Sequence, residues 1–482
     1  SIFCCLCFIG YSLYWYFMIS RTCNYSCKHL SNGVSRIYIN NHGTLVGAGY
    51  REGDLLEVSH SRFKTVIRKN EVNSAKSVMG TARGLLIELR DKKTRESFEG
   101  IEKVIVTISS NCIVIEAYPS ERRRVERVES LKIAIRKGMG VQYGSLYSGL
   151  GLLAYNLSRG FKKKGVKTFL SFANDIDDLA LSCSVEGNPI WDEALPAAEA
   201  TSLDIRELAL KDNLPKVNFL EIGLPCTNQS KLCPAHLRDL SHPSGTLFMS
   251  LITVIRKMNP AVFLIENSKP FLSSMTYKLL KKELDTDYAF ESVVLNGHSY
   301  GDFEPRERAC IIARDRSLPA TNISDLSPPE MVEHRALSDI LQDVPEDSPV
   351  WRTMSHVKRK EADPRLNFKN SLYSPTDVKI GALMATYASP KIGSPMVAHP
   401  TNSNLQRQFS YVEHCRIRRV PKRLEDVLHK VATGMHCLVR SVGSKSAVHR
   451  MCGNSVAPLP WRAAGSWLAT WMLGIANEHC EL

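Results

Sequence analysis

Three short clusters in this 482-residue chain hold the residue types that ring chemistry requires. Pro225 and Cys226 stand just past the apolar run Val217–Gly223. Glu266 and Asn267 end a second run that begins at Ala261, and Arg306 and Arg308 precede a third, Ala309–Ala313. A thiolate is a strong nucleophile near neutral pH. A carboxyl of raised pKa can donate or share a proton at a ring nitrogen. Two arginines two positions apart on extended backbone project to one face. This is the kit needed to attack carbon 6 of a pyrimidine and place a methyl group on carbon 5. Taken singly each part is ordinary: Cys226 is one of fourteen cysteines, Glu266 would serve as a helix cap, and Arg-Glu-Arg is usually solvated surface.

A second set of residues suits a nucleoside. Gly149-Leu150-Gly151 follows a predicted strand and precedes a predicted helix, where bare backbone lets a ligand approach a helix N-terminus. Asp175 ends the next strand, positioned for ribose hydroxyls, and Asp204 follows the third segment, positioned for an adenine amino group. No GxxxxGK[ST] phosphate loop accompanies them. Nucleoside binding without a phosphate clamp is the character of S-adenosylmethionine.

The elements that must position these residues alternate between strand and helix from Tyr143 onward, the rhythm of a mostly parallel α/β sheet. Strands are predicted at Gly144–Ser148, Thr168–Ala173, Val217–Ile222, Ala261–Ile265, Phe290–Leu295 and Ala309–Ala313. Helices are predicted at Leu152–Lys163, after Asp177 and Asp204, and at Thr246–Lys257 and Ser273–Leu284. Helical patterns return at Val412–Val420 and Ala457–Ile475. Before this core, Ser35–Ala117 reads as short β-rich runs between turn residues, and Ser120–Lys137 as a charged helix with a solvated face. The expected divisions are an apolar or irregular extension (1–34), a β-rich domain (35–119), a helical linker (120–142), a catalytic domain (143–314), an irregular recognition region (315–404) and a C-terminal return (405–482). The loop Thr227–Ser244, with Lys231, His236, Arg238 and His242, is long enough to serve as a lid.

Together these segments resemble the DNA cytosine-5 methyltransferases. SLYSGLG (Ser145–Gly151) resembles their cofactor loop, NDID (Asn174–Asp177) and LDI (Leu203–Ile205) their ribose and adenine motifs, and GLPCTNQS (Gly223–Ser230) their catalytic Pro-Cys motif. SGTLF (Ser244–Phe248), IENS (Ile265–Ser268), YGDFEPRER (Tyr300–Arg308), RQFSYVEHCRIRRVP (Arg407–Pro421) and GNSVAP (Gly453–Pro458) continue in family order. The family's second loop glycine pair reads Gly151-Leu152, its PCQ reads Pro225-Cys226-Thr227, its ENV reads Glu266-Asn267-Ser268, and the glutamine of QxRxR is Glu304.

The resemblance implies a Rossmann-like S-adenosylmethionine-dependent fold acting on duplex DNA, with the target cytosine turned out of the stack. Cys226 would attack carbon 6, Glu266 would engage N3, Arg308 would hold O2 and Arg306 would support loop and base. Tyr147, Gly149, Gly151, Asp175, Ile176, Asp204, Ile205, Pro225, Asn454 and Val456 would hold the cofactor. Two alternatives stay open: methylation of cytosine in RNA on the same scaffold, and a catalytically decayed DNA-binding homologue.

Composition is compatible with this reading and does not decide it. The chain has 44% apolar and 23% charged residues, a net charge of +13 and a pI near 9.1, which favours a polyanionic partner. No repeat or low-complexity tract is evident. Irregular cysteine spacing in a chain this long argues for reduced thiols. Neither Cys4/Cys7 nor Cys23/Cys27/His29 completes a zinc set, so no metal is expected. Ile2–Ile19 is uncharged and barely span-length, lacks signal-peptide flanks, and precedes or includes the first methionine, Met18. The expectation is a start at Met18, no stable membrane association, and a protein acting as a monomer on DNA in a bacterial or phage-infected cytoplasm. Trp351, Arg352, Lys358, Arg359, Lys360 and Arg365 are candidate DNA contacts.

Overall fold

Short β-branched runs do build the N-terminal part, and they build it twice. In the computed structural model the chain divides into two units, Ser1–Glu126 and Arg127–Leu482. The described residues are 20–70, 76–110, 112–225, 234, 236, 238–366, 370–389, 393–439 and 442–477.

The first unit opens with β1 (Arg21–His29), β2 (Ser35–Ile39), α1 (His42–Gly47), β3 (Leu55–Ser61) and β4 (Lys64–Lys69). After the short β5 (Lys76–Ser77) and β6 (Met79–Thr81), the order of β2, α1, β3 and β4 returns as β7 (Gly84–Asp91), α2 (Lys92–Ser97), β8 (Lys103–Ile108) and β9 (Cys112–Ala117). Even the caps repeat: Asn41 accepts from the Thr44 N–H, and Asp91 from the Thr94 N–H. The copies interleave, because β1 pairs with β8, β2 with β7 and β4 with β9. β5 pairs with β3 while β6 pairs with β7, which closes the sheet around Ile37, Leu89, Val106 and Ile115.

Two sequence expectations change here. A structural repeat is present, hidden because the copies share a spacing of caps and buried positions and little else. Residues 21–29, expected in an irregular extension, form a strand whose pattern is weak because Cys27 alone is fully buried. Cys27 thus belongs to the β core, and His29 Nδ1 lies 2.6 Å from Ser35 Oγ. Ile2–Ile19 lies outside the described residues, apart from which no helix is long and apolar enough to cross a membrane.

α3 (Pro119–Arg136) leads out of this unit. From Arg127 onward it belongs to the second, where Leu131 is buried in the core. Its face is not wholly solvated as the charge pattern suggests. Arg127 is 3% exposed and its Nε lies 2.5 Å from Asp315 Oδ2. It also reaches Asn259 and Asp287 and stacks over the Tyr288 ring.

The second unit alternates β10 (Val141–Leu146), α4 (Leu152–Lys163), β11 (Thr168–Asn174), α5 (Asp178–Gly187) and β12 (Ala194–Thr201). It continues through α6 (Ile205–Leu210), β13 (Phe219–Gly223), α7 (Leu247–Met258), β14 (Val262–Ser268), α8 (Met275–Leu284), β15 (Tyr288–Asn296) and β16 (Glu307–Asp315). The sheet order is β12-β11-β10-β13-β14-β16-β15, parallel through β14 and antiparallel at β16 and β15. Apolar clusters cover both faces, as parallel strands demand. β12 was not foreseen. Its ALPAAEAT is poor strand sequence, and as an edge strand paired only to β11 it tolerates Pro196.

Among the described residues of 316–404 there is one short α-helix, α9 (Ser355–Glu361), and two short strands, β17 (Leu372–Tyr373) and β18 (Met396–Ala398), which form a small sheet with β19 (Gln406–Arg407) just beyond. Leu337, Ile340, Ile380 and Leu383 build a separate apolar cluster there with Phe303, Phe409 and Ile417. Asp315 and Leu318 belong instead to the main sheet and its core. Trp351 packs edge-on against His399 and beneath Arg407, so packing accounts for it, whereas Arg359, Lys360 and Arg365 are exposed. The C-terminal return holds four helices: α10 (Tyr411–Ile417), α11 (Lys422–Thr433), α12 (Lys445–Asn454) and α13 (Pro458–Asn477). The middle two were missed by the sequence reading. α13 packs along α4 through small residues: a Cβ on Gly160 would sit 2.2 Å from Arg462 O, and one on Gly465 2.2 Å from Leu157 O.

Candidate active site

At the carboxyl end of β10 the backbone turns through left-handed conformations at Tyr147 (φ 55°), Gly149 (φ 52°) and Gly151 (φ 70°). At Gly151 the glycine is obligatory twice over: its φ favours glycine, and a Cβ would lie 2.8 Å from Ser184 Oγ. The next strand braces the loop. Asp175 Oδ2 accepts from the Gly149 N–H at 2.6 Å, and Oδ1 from the Asp177 N–H at 2.8 Å. Burial pushes the Asp175 pKa up, although the N–H groups of Asp177, Gly149 and Ile176 favour its charge.

The loop forms one wall of a cavity of about 330 Å³. Tyr147, Gly149, Asp175 and Ile176 line that wall, Asn454 and Val456 line another, and Pro225 lies at its edge. Ile176 is 67% exposed, a bare hydrophobe at the rim, and the buried Tyr147 hydroxyl has no partner among the described residues. An apolar platform, unused polar atoms and uncovered loop backbone fit a nucleoside-bearing cofactor. Gly151 shapes the loop from behind without lining the cavity. Asp204 and Ile205 do not line it: Asp204 caps α6 and pairs with Arg206 at 3.2 Å, its charge still acting on the Tyr147 phenol at the cavity wall, and Ile205 is buried in the sheet core.

The same cavity reaches Glu266, Arg306 and Arg308. Register explains the meeting. Gly223 of β13 pairs with Glu266 of β14, and Arg308 of β16 pairs with Ser268. Arg308 is thus the diagonal neighbour of Glu266 on one face, with Nε 2.9 Å from Glu266 Oε1. Burial raises the Glu266 pKa, while Arg308 and then Arg306 pull it back. Arg306 is 7% exposed and donates to Gly453 O at 2.9 Å, tying this wall to α12. Asn267 Nδ2 donates to Leu224 O at 3.2 Å, fixing the chain one step before Pro225. Cys226 lies outside the described residues, as do Thr227–Ser230 and Lys231. At the far end of that loop Asp239 accepts from the N–H groups of Met275 and Thr276, at 2.5 and 3.0 Å.

Several residues here escaped the sequence reading. Arg450, Met451 and Ser455 join the lining, and Arg450 pairs with Asp177. Glu304, at the family's glutamine position, forms a buried ion pair with Arg418 and accepts from the Leu383 N–H at 2.6 Å. Glu221, inside an apolar run, is 1% exposed and faces the cavity. Only its acidity within a hydrophobic strand marked it out.

A family model for C-5 cytosine-specific DNA methylases matches residues 141–465. The chain belongs to that family. Among curated methyltransferases it resembles Type II methyltransferase M1.BsuMI of Bacillus subtilis, at 26% identity over 248 residues, 48% of this chain and 57% of that protein. It also resembles Type II methyltransferase M.FnuDI of Fusobacterium nucleatum, at 29% over 210 residues, 42% of this chain and 56% of that protein. The chain thus spans little more than half the length of these relatives. The crystal structure of the S. pombe Dnmt2 methyltransferase covers 70% of this chain and 99% of its own, with a TM-score of 0.50 at 16% identity, a likeness of fold. The methylase match begins at the first strand of the sheet and ends within α13, leaving the repeated β unit outside it.

Proposed function

We propose that this methylase transfers a methyl group from S-adenosylmethionine to carbon 5 of cytosine in duplex DNA through a covalent bond to Cys226. The observation that carries the reading is a single cavity bounded by the glycine loop and Asp175 on one side and by Glu266, Arg306 and Arg308 on the other, opening next to Pro225. When bound, the cofactor supplies an electrophilic sulfonium methyl. Asp175 would engage the ribose while Tyr147, Ile176, Asn454 and Val456 enclose the rest. The Cys226 thiolate would add to carbon 6 of the flipped base. Glu266 would place a proton at N3 and Arg308 would hold O2, so the charge displaced by addition is met by positioned donors. Arg306, anchored on Gly453 O, would hold base and loop in place. Loss of the carbon-5 proton then expels the thiolate by elimination.

Exposed basic residues in 316–404 would contact the duplex, phosphates for position and base edges for sequence. The protein would work as a monomer in the cytoplasm of a bacterial or phage-infected cell, as the modifying partner of a restriction system. Incubation with tritiated S-adenosylmethionine and separate DNA and RNA substrates tests this. Label in DNA is expected, with a denaturation-resistant adduct on DNA containing 5-fluorocytosine and none for Cys226→Ser. Label confined to RNA would establish the RNA reading, and no label in either the decayed one.

A further inference from the structure

Glu221 has no place in the chemistry just described. It lies on β13, where Ser145 of β10 is its register partner on one side and Leu264 of β14 on the other. Two positions on from Leu264 on the same face stands Glu266. Both glutamates border the one cavity, so two carboxyls of adjacent strands face the space where the base would sit.

Their surroundings differ. Glu266 has a guanidinium at 2.9 Å and a second in Arg306, which can carry its negative charge. Glu221 is 1% exposed and has no ion pair among the described residues. Its Oε2 lacks a hydrogen-bond partner there, as does the Tyr143 hydroxyl on β10. Among the described residues the other ionisable groups around this space are Cys310 on β16, behind Glu266, and Tyr147, Asp175, Asp177 and Arg450 across the cavity. An uncompensated carboxylate in such a place is costly. Burial pushes the Glu221 pKa up to about 8; a hydrogen bond with the Ser145 hydroxyl opposes the rise, and the charge of Glu266 adds to it.

We propose that Glu221 is the proton reservoir for Glu266, the two carboxyls holding one proton between them and Glu221 returning it to Glu266 when the base arrives. The proposal rests on the methyl-transfer reading above. A Glu266 carboxylate paired with Arg308 has no proton to offer N3. Transfer from Glu221 leaves Glu221 ionised and Glu266 neutral. Glu266 then gives that proton to N3 as the nucleophile–carbon 6 bond forms. When that bond breaks, the proton returns from N3 through Glu266 to Glu221, so nothing is consumed. Glu221 is a positioning residue in this scheme, acting on the base only through Glu266.

The test is methyl transfer to DNA from pH 6 to 9.5 by wild type and Glu221→Gln. The alkaline limb of kcat should move acid by about a unit or more in the variant, with KM values within about twofold and most of the rate recovered at the acid end. A limb that stays in place, or a loss equal at every pH, overturns the proposal. Infrared titration of the protein without substrate separates this from failure of the methyl-transfer reading. A carboxylic-acid band should persist above pH 7 in wild type, vanish in Glu221→Gln, and titrate at lower pH in Glu266→Gln. Absence of that band from wild type overturns the reservoir even if methylation is observed. The wild-type and Glu266→Gln titrations decide the matter should Glu221→Gln not fold.

Discussion

Arg308 holds Glu266 across a strand pair, Nε to Oε1 at 2.9 Å, one diagonal step out of register. The contact has two effects: it aims the carboxyl into the cavity, and it opposes the rise in pKa that burial imposes.

Replacing Arg308 with alanine should therefore raise the Glu266 pKa further and lower turnover on the order of 10²-fold, since orientation is lost with the charge. The stability consequence has a definite sign. A carboxyl whose folded pKa is raised keeps a proton that the unfolded chain has released. Stability then falls as pH climbs from the ordinary glutamate range to the folded value, and Arg308→Ala should extend that fall to higher pH. Thermal melts of both proteins between pH 4 and 9 check it, and parallel curves would contradict it.

Glu304→Gln restores the residue the family carries, yet it should destabilise this chain. Arg418 is fully buried, its pKa lowered to about 10 by burial, and Glu304 is its ion-pair partner. Removing one charge of a buried pair typically costs about 3–5 kcal/mol. Denaturant unfolding should show a loss of that order, and a neutral result would mean that Arg418 finds another partner.

Arg127→Ala should cost a similar amount, about 3–5 kcal/mol, because Asp315 is wholly buried against the guanidinium. The same pair limits any exchange of the recognition region. A transplant that includes Asp315 through Leu326 removes sheet and core residues. One confined to residues 327–404 should carry sequence preference with it and leave methyl transfer intact, as bisulfite sequencing of exposed DNA would reveal.

Asp175→Ala should weaken S-adenosylmethionine binding roughly ten- to a hundredfold, the worth of a charge-assisted hydrogen bond. It should also loosen the glycine loop, because the Gly149 N–H loses its acceptor. Calorimetric titration measures the first effect, and hydrogen exchange at Gly149 the second.

What the sequence disclosed follows the reach of each signal. The glycine loop was legible because a strand end, a turn and a helix start lie within a few residues, and Glu266, Arg306 and Arg308 because each stands at or beside the end of an apolar run. Arg127 was not, since its partner lies far along the chain and its neighbours read as a solvated helix face. Asp204 and Ile205 were placed at the cofactor by motif; the fold puts Asp204 on a helix cap near enough to Tyr147 for its charge to act on that phenol, and Ile205 in the core. Glu221 was concealed by the apolar run that buries it. β12 was missed because alanine and proline argue against a strand until its edge position is known.

The interleaving of the two halves of the β unit bears on how it forms. Since β1 pairs with β8 and β4 with β9, neither half can finish a sheet from its own strands. A growing chain that has reached only β4 offers unpaired edges and a half-covered apolar face. Ordering must wait until the second half has emerged, and the long loops then closed make it slow. During synthesis this region therefore passes through an interval in which its unpaired strands could pair with a neighbouring nascent chain.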